Sequence, residues 1–301
     1  MNNRKNDPKS LLMIVTSMII FGSIGIFRRS IPLPSAFLAF ARGILGGLFI
    51  LAFRNRSGNR TGEKTEIPYF RLLVLSGVLM GVNWILLFEA YNHTTVPIAT
   101  LCYYMAPTIV VLLSPIVFNE PLTLKKTICA ITAVIGMVLV SGVTAGGSFP
   151  GNHIRGILLG LGAAVLYAAV VILNKKCGGM DAYQKTTIQL LSAGTVMVPY
   201  LLLSGGLENL EFSLRTVVLL LIVGIVHTGI AYLLYFGSID GLRAQTVAII
   251  SYVDPVSALL FSALFLNEPL NAMGIFGAAL IIGSAIISEL PEGASEQIRY
   301  F

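Results

Sequence analysis

Four ionisable side chains lie inside long apolar stretches of this 301-residue chain: Arg42, Glu89, His227 and Asp254. Because a charge is costly in hydrocarbon, each is a candidate functional group. Asp254 stands directly before Pro255, and a proline removes a backbone donor and frees a carbonyl one turn earlier. We therefore expect a broken helix beside a carboxylate, which suits a substrate or proton site. A carboxylate that only locks helices, through a hydroxyl or an arginine, is the alternative.

The other three ionisable groups suggest different chemistry. His227 is a candidate proton relay because imidazole exchanges protons near neutral pH, although a hydrogen-bonded interior histidine is the favoured reading. Arg42 is suited to binding a substrate carboxylate through two parallel hydrogen bonds, or else serves as a structural counter-ion. Glu89 lies near the end of its stretch, where partial hydration is expected. The candidates for proton or ion coupling are Asp254, His227 and Glu89.

Aromatic residues give a second signal. A tyrosine hydroxyl facing lipid would lack a hydrogen-bond partner, so aromatic groups near the middle of a span should face protein or a cavity. Such a cavity would hold a small amphipathic or aromatic solute by stacking and a few hydrogen bonds. Ordinary core packing is the alternative. The candidate cavity residues, beside Arg42, are Phe21, Asn83, Trp84, Tyr104, Tyr167, Tyr232 and Tyr252.

The composition identifies the elements that must position these groups. Of the 301 residues, 55% are hydrophobic and 11% are charged, whereas soluble domains average about 25% charged residues. This excludes a soluble enzyme, a nucleic-acid binder and a disordered chain. Ten apolar segments are long enough to cross a bilayer, so the predicted fold class is an all-α polytopic membrane protein. The segments are 11–28, 35–53, 69–91, 95–118, 124–144, 154–174, 184–204, 214–237, 244–266 and 271–289.

The basic residues predict an orientation. With ten spans, fifteen Lys and Arg residues fall on the side of the two termini and four on the opposite side. The positive-inside rule therefore places both termini in the cytoplasm. We expect an integral protein of the bacterial plasma membrane, with the lipid bilayer and a small-molecule substrate as its partners and no nucleic acid. Monomer and homodimer both stay open.

An internal repeat divides the chain. The segment Val117–Leu122, Val-Phe-Asn-Glu-Pro-Leu, recurs 148 residues later as Phe-Leu-Asn-Glu-Pro-Leu in Phe265–Leu270. Because each copy has five spans, the second must cross the membrane upside down, as in many secondary transporters. The predicted organisation is a cytoplasmic segment (1–10), two repeats (11–144 and 154–289) and a polar cytoplasmic tail (290–301).

The same offset aligns the aromatic candidates in pairs. Trp84 falls on Tyr232 and Tyr104 on Tyr252, and an offset of 146 places Phe21 on Tyr167. Asp254 aligns with Ala106, so its charge is an asymmetric addition to a repeated scaffold.

Two inverted five-span halves, each with an Asn-Glu-Pro-Leu turn after its fourth helix, resemble the EamA-type branch of the drug/metabolite transporter superfamily. The resemblance implies a ten-helix secondary transporter that exports amino acids or related metabolites by alternating access. Arg42 matches an arginine that such proteins often have in their second helix, and Gln189 stands near that place in the second half. Small multidrug relatives carry a glutamate in the first helix. This chain has no acid in its first or sixth span, so cation efflux by that mechanism is not expected.

Other classes of function are less well supported. A lipid or drug carrier is the main alternative, because a fold does not fix a substrate. A membrane enzyme is a weaker one, since no metalloprotease, serine-hydrolase or phosphate-loop motif is present. A channel would need repeated filter residues, which the sequence lacks. The three cysteines have no metal-ligand spacing, so we expect no metal and no cofactor.

Overall fold

The computed structural model describes residues 7–56, 67–140, 153–208, 210–266 and 272–290. All regular structure within these ranges is helical. A π-helix (Val223–Ile230) joins α9 to α10, and a short 3-10 turn (Ile239–Gly241) joins α10 to α11. The helices are α1 (Pro8–Arg29), α2 (Ser35–Arg56), α3 (Ile67–His93), α4 (Val96–Tyr103), α5 (Ala106–Phe118), α6 (Leu124–Val140), α7 (His153–Lys176), α8 (Ala182–Leu203), α9 (Leu214–Ile222), α10 (Ala231–Ser238), α11 (Ala244–Ser251), α12 (Val253–Leu266) and α13 (Ala272–Glu289).

These elements make ten spans, which confirms the predicted fold class. Nine apolar stretches of 18 to 28 residues are long enough to cross a bilayer. Helix α6 is the tenth, with 17 residues in the part that the structure describes. The chain is therefore an all-α integral membrane protein. The second Asn-Glu-Pro turn (267–269), most of the loop 54–67 and the tail after residue 290 lie outside the described residues.

Two spans are broken near their middle, at equivalent points of the two halves. The fourth span breaks at Tyr104 and Met105, between α4 and α5, and the ninth breaks at Tyr252, between α11 and α12. A proline follows each break within three residues and lacks the N–H that would continue the helix. The breaks therefore free backbone groups inside the bundle, which is tolerated where they are covered by protein or line a cavity.

The two halves exchange their first helices. Helix α1 packs against α10 and α12 of the second half, and α7 packs against α3, α4 and α5 of the first half. Helices α6 and α13 also pair across the halves. At this pair a Cβ on Gly277 would come within 2.6 Å of the Gly136 carbonyl oxygen, so the two backbones touch only because both residues are glycine. These contacts tie the halves into one bundle.

We call the end where α1 begins and α13 ends the terminal face, and the opposite end the open face. At the terminal face the backbone N–H of Asp7 donates to the Gly241 carbonyl. The Asp7 side chain caps α1, and hydrogen bonds from the hydroxyl and N–H of Ser10 hold the pKa of this carboxyl below its usual range. The start of α1 is thereby fixed to the loop that precedes α11.

Candidate functional site

A cavity of about 590 Å³ lies between the halves. Its wall reaches Arg28 and Ser35 at the α1–α2 turn, Val96 at the start of α4 and Leu266 at the end of α12. All four lie toward the open face, so the cavity is connected to that end of the bundle. The predicted cavity residues Phe21, Arg42, Trp84, Tyr104, Tyr167 and Tyr232 line it, together with Asp254.

Arg42 is held against the ring of Trp84. Its guanidinium carbon lies 4.5 Å from the centre of the ring, which is cation–π geometry. Its Nε is buried without a hydrogen-bond partner, and Arg42 forms none of the ion pairs found among the described residues. A planar cation, fixed on an aromatic ring at a cavity wall and with unused donor capacity, is suited to an anionic group of a ligand.

Asp254 lies at the junction of the two broken spans. It is in the first turn of α12, and its Oδ2 accepts a hydrogen bond of 2.8 Å from the Tyr104 hydroxyl at the break of the fourth span. A second hydrogen bond of 2.7 Å joins the hydroxyls of Tyr252 and Thr108. The breaks are thus linked twice, and the carboxylate is both held by a hydroxyl and open to the cavity. The hydrogen bond agrees with the helix-lock interpretation, and its place in the cavity lining keeps Asp254 a candidate functional residue.

Aromatic rings separate the main cavity from a smaller one. The inner cavity, of about 40 Å³, is lined by Asp254, Ser251 and Pro107 among others. Four rings line both cavities and form the partition between them: Phe21, Tyr103, Tyr104 and Tyr167. The rings of Tyr103 and Tyr167 lie 5.7 Å apart. Asp254 also lines both cavities, so its carboxylate lies at the boundary. The inner cavity is large enough for a water molecule.

Tyr252 and Asn83, which were predicted to line the cavity, lie elsewhere. Tyr252 is 1% exposed and packs against buried residues of α6 and α13. Asn83 donates to the Ala163 carbonyl at 2.6 Å in the interface of α3 and α7. Both side chains join helices.

The two remaining coupling candidates lie outside the cavity lining. His227 belongs to the π-helix, and its Nε2 is 2.9 Å from the Ser23 hydroxyl, with the Phe27 ring against its own. Glu89 accepts a hydrogen bond of 2.7 Å from the Tyr200 hydroxyl near the open face. The structure therefore brings together Asp254, Arg42 and the rings, and leaves His227 and Glu89 in helix interfaces.

Several lining residues were missed from the sequence. Arg28, at the mouth, donates to the Ile31 carbonyl at 2.7 Å and to the Ser35 hydroxyl at 3.1 Å. Its position next to a predicted turn gave it the appearance of a loop residue. Tyr103 adjoins Tyr104, and the sequence offered no means of knowing that a helix break exposes both. Tyr91, near the end of α3, also lines the cavity.

The second half has a compact polar cluster near the place equivalent to Arg42. The Gln189 and Asn174 amides donate to each other at 2.8 and 2.7 Å, and the Ser76 hydroxyl donates to Gln189 at 2.9 Å. All three residues are fully buried between α3, α7 and α8. In the second half this place is therefore filled by amides that bond each other, whereas in the first half Arg42 presents a cation to the cavity.

No cluster of three potential metal ligands occurs in the part of the chain that the structure describes. The site consists instead of one carboxylate, one guanidinium at the wall, a second at the mouth and a set of rings. These groups line a central cavity between two repeated halves of a membrane protein.

Comparison with known proteins assigns this class to a family. The model of the EamA-like transporter family matches the chain twice, at residues 8–142 and 154–289. The chain is 30% identical to the uncharacterized transporter YxxF of Bacillus subtilis over 87% of its own length and 83% of that protein. It is 27% identical to protein PecM of Dickeya dadantii, over 72% and 73% of the two chains.

A protein of known crystal structure has the same fold, with a TM-score of 0.82, 19% identity and coverage of 96% and 99% of the two chains. The chain belongs to the EamA-like transporter family of the drug/metabolite transporter superfamily, and it is a membrane transporter.

Proposed function

We propose that this protein is a secondary transporter that exports a small zwitterionic or amphipathic metabolite, such as an amino acid, by alternating access. The observation that carries the proposal is the cavity of about 590 Å³ that joins Arg42, Asp254 and aromatic rings between two repeated halves. Its volume is within the range of small-molecule sites, about 300 to 1,000 Å³. On this proposal the protein binds and releases its solute without covalent chemistry.

The charges on the wall favour a solute that carries both signs. Arg42 would bind a carboxylate, since a guanidinium presents two parallel donors. The negative charge of Asp254 would attract an ammonium group. The rings would cover the apolar part of the solute. A bare cation would meet repulsion from Arg42, and a bare anion repulsion from Asp254. This combination of charges favours an amino acid or a related compound as the solute over a sugar or a simple amine.

Asp254 is also the proposed coupling site. It lies at the boundary of the two cavities and at the junction of the two breaks, so a change in its charge would affect both the solute and the contact between the halves. His227 and Glu89 are the weaker candidates because neither lines the cavity. A proton carrier that also contacts the solute provides a direct route from a proton gradient to solute movement.

We propose further that the terminal face is cytoplasmic and that the membrane is the bacterial plasma membrane. The support is the excess of Lys and Arg on the loops of that face. The cavity, which reaches the open face, is then connected to the outside of the cell. Movement in either direction requires that the terminal face open in turn.

Counterflow in liposomes tests the proposal. Purified protein is reconstituted, loaded with an unlabelled candidate and offered the same labelled compound at low concentration outside. The panel contains amino acids, amines, sugars, nucleosides and a short-chain lipid. We expect transient accumulation of one or more amino acids, and at least a tenfold lower rate in Arg42→Gln.

Three results would contradict the proposal. A flux that does not saturate would indicate a channel, transport of only the lipid would indicate a lipid carrier, and conversion of a compound into a new product would indicate an enzyme. The exposed Glu211→Gln, on the open-face loop, is the matched control and should keep the wild-type rate.

A further inference from the structure

The first Asn-Glu-Pro turn joins the two halves at the terminal face. Asn119 has a φ of 53° and ends α5 in the left-handed conformation, which directs Glu120 away from its own helix. The Glu120 carboxylate accepts hydrogen bonds from the backbone N–H groups of Ala244 at 2.9 Å and Gln245 at 3.3 Å. These are the first residues of α11 in the other half. Glu120 therefore caps a helix 124 residues away in sequence.

Helix α11 has no cap of its own. Arg243 occupies the N-cap position and makes no capping hydrogen bond with its side chain. A helix start has unpaired N–H groups and a partial positive charge, so a carboxylate there is favourable. Lys175 lies 3.8 Å from Glu120 and donates to the Leu242 carbonyl just before α11. The cap of α11 is thus available only while the halves are in contact.

The amide of Gln245 strengthens this junction from the other side. It is 1% exposed and donates to the Ser114 hydroxyl at 2.9 Å and to the carbonyls of Pro121 and Glu120 at 3.2 and 3.3 Å. A second contact lies next to it, where Lys126 and Thr246 both bond Glu289. The start of α11 is therefore attached to the first half by side chains and backbone together.

This junction lies between the inner cavity and the terminal face. The inner cavity is lined by Pro107 at the start of α5 and Ser251 at the end of α11. Below it, α5 and α11 pack together through buried residues, including Val111 and Val247. A path from the inner cavity to the terminal face therefore requires that α11 separate from α5, which would remove the cap.

We propose that Glu120 is the gating residue of the terminal face, and that its cap on α11 forms when this face closes and is released when it opens. The inference rests on the proposed alternating access and adds the residue that controls one of its two states. The Asn-Glu-Pro turn thereby gains a function, since it delivers a carboxylate from one half to a helix end of the other half.

Thiol labelling tests this gate without requiring a known solute. Ser251→Cys, in a chain with its three native cysteines replaced, reports on the inner cavity, and Ser262→Cys reports on the main cavity. A membrane-impermeant maleimide is applied separately to each face in sealed vesicles of known orientation. In Glu120→Gln we expect labelling of Ser251→Cys from the terminal face to become about tenfold faster, and labelling of Ser262→Cys from the open face to become slower. Glu211→Gln should change neither rate.

A second variant separates a gate from a purely structural cap. Arg243→Asp combined with Glu120→Gln gives α11 a carboxylate cap from its own half and removes the charged cap that the other half supplies. If Glu120 is the gating residue, the double variant should unfold at the wild-type temperature, and Ser251→Cys in it should still be labelled fast from the terminal face. Slow labelling in the double variant, or an unchanged rate for Ser251→Cys in Glu120→Gln, would overturn the gate. Absence of counterflow in the wild type would contradict the transport proposal instead, whatever the labelling shows.

Discussion

The hydroxyl of Tyr104 donates a hydrogen bond of 2.8 Å to the carboxylate of Asp254, and so connects the break of the fourth span to the first turn after the break of the ninth. The two residues come from opposite halves and are 150 positions apart. The carboxylate thereby contributes to the contact between the halves while it faces two cavities. A solute or a proton at Asp254 would act on the interface at the point where both helices are interrupted.

The first prediction concerns coupling. Asp254→Asn removes the charge and keeps the size of the side chain, so it should abolish accumulation driven by a proton gradient. Counterflow needs no net proton movement and should persist, with a weaker apparent affinity because the partner of the ammonium group is lost. Tyr104→Phe keeps the carboxylate and should keep driven accumulation. Both variants are measured as labelled solute in proteoliposomes, with and without a pH gradient. Undiminished driven accumulation in Asp254→Asn would rule out this residue as the coupling site.

The second prediction concerns selectivity. Hydrogen bonds to a charged group contribute about 1.5 to 3 kcal/mol, which corresponds to a preference of roughly tenfold to a hundredfold. The wild type should therefore prefer a free amino acid over its methyl ester by at least about tenfold in competition counterflow. Arg42→Gln should lose this preference, and Arg42→Lys should keep part of it. An equal preference in the wild type and Arg42→Gln would show that Arg42 does not contact the carboxylate.

The third prediction concerns a buried cation near the terminal face. The Lys185 side chain is 0% exposed, and its ammonium lies 2.8 Å from the carboxylate of Asp240, whose side chain is 29% exposed. Asp240→Asn leaves this charge without its counter-ion, so the free energy of unfolding should fall by about 2 kcal/mol. The pair Lys185→Met and Asp240→Asn should recover most of the loss. Thermal unfolding in detergent gives the comparison, and a double variant no more stable than Asp240→Asn would contradict it.

The fourth prediction compares two glycines of α13. An alanine at position 277 would clash with the Gly136 carbonyl oxygen, whereas a Cβ at position 283 has nothing within 4 Å. Alanine favours a helix interior by about 1 kcal/mol over glycine. Gly283→Ala should therefore raise the unfolding temperature slightly or leave it unchanged, and Gly277→Ala should lower it. Equal unfolding temperatures would mean that α6 and α13 do not approach as closely as described.

The spans and the repeat were predictable because each is encoded by a long stretch of sequence. Twenty apolar residues and a repeated Asn-Glu-Pro turn depend on composition and order, and they do not require knowledge of contacts. The same offset predicted that Tyr104 and Tyr252 occupy equivalent positions, and both do lie at breaks. Their surroundings differ, since Tyr104 reaches Asp254 while Tyr252 faces α6 and α13. Inverted halves place equivalent residues in unequal environments, and only packing decides which one meets the cavity.

The cap that Glu120 provides could not be predicted from the sequence either, because it too depends on packing. Its partners are backbone N–H groups of a helix 124 residues away, and backbone donors carry no signature in the residue type. Arg28 was hidden by its place at a turn. Such groups become visible only when the chain is folded and the ends of helices from both halves lie side by side.

The chain contains a single tryptophan, Trp84, and this residue lies in the cavity wall beneath Arg42. Its emission is therefore a direct reporter of the proposed solute site. Purified protein is titrated with the compound that counterflow identifies. We expect a saturable change in emission whose midpoint matches half-saturation of transport, and a midpoint at an at least tenfold higher concentration in Arg42→Gln. Saturable transport of that compound with no change in Trp84 emission would contradict the assignment of this cavity as the transport site.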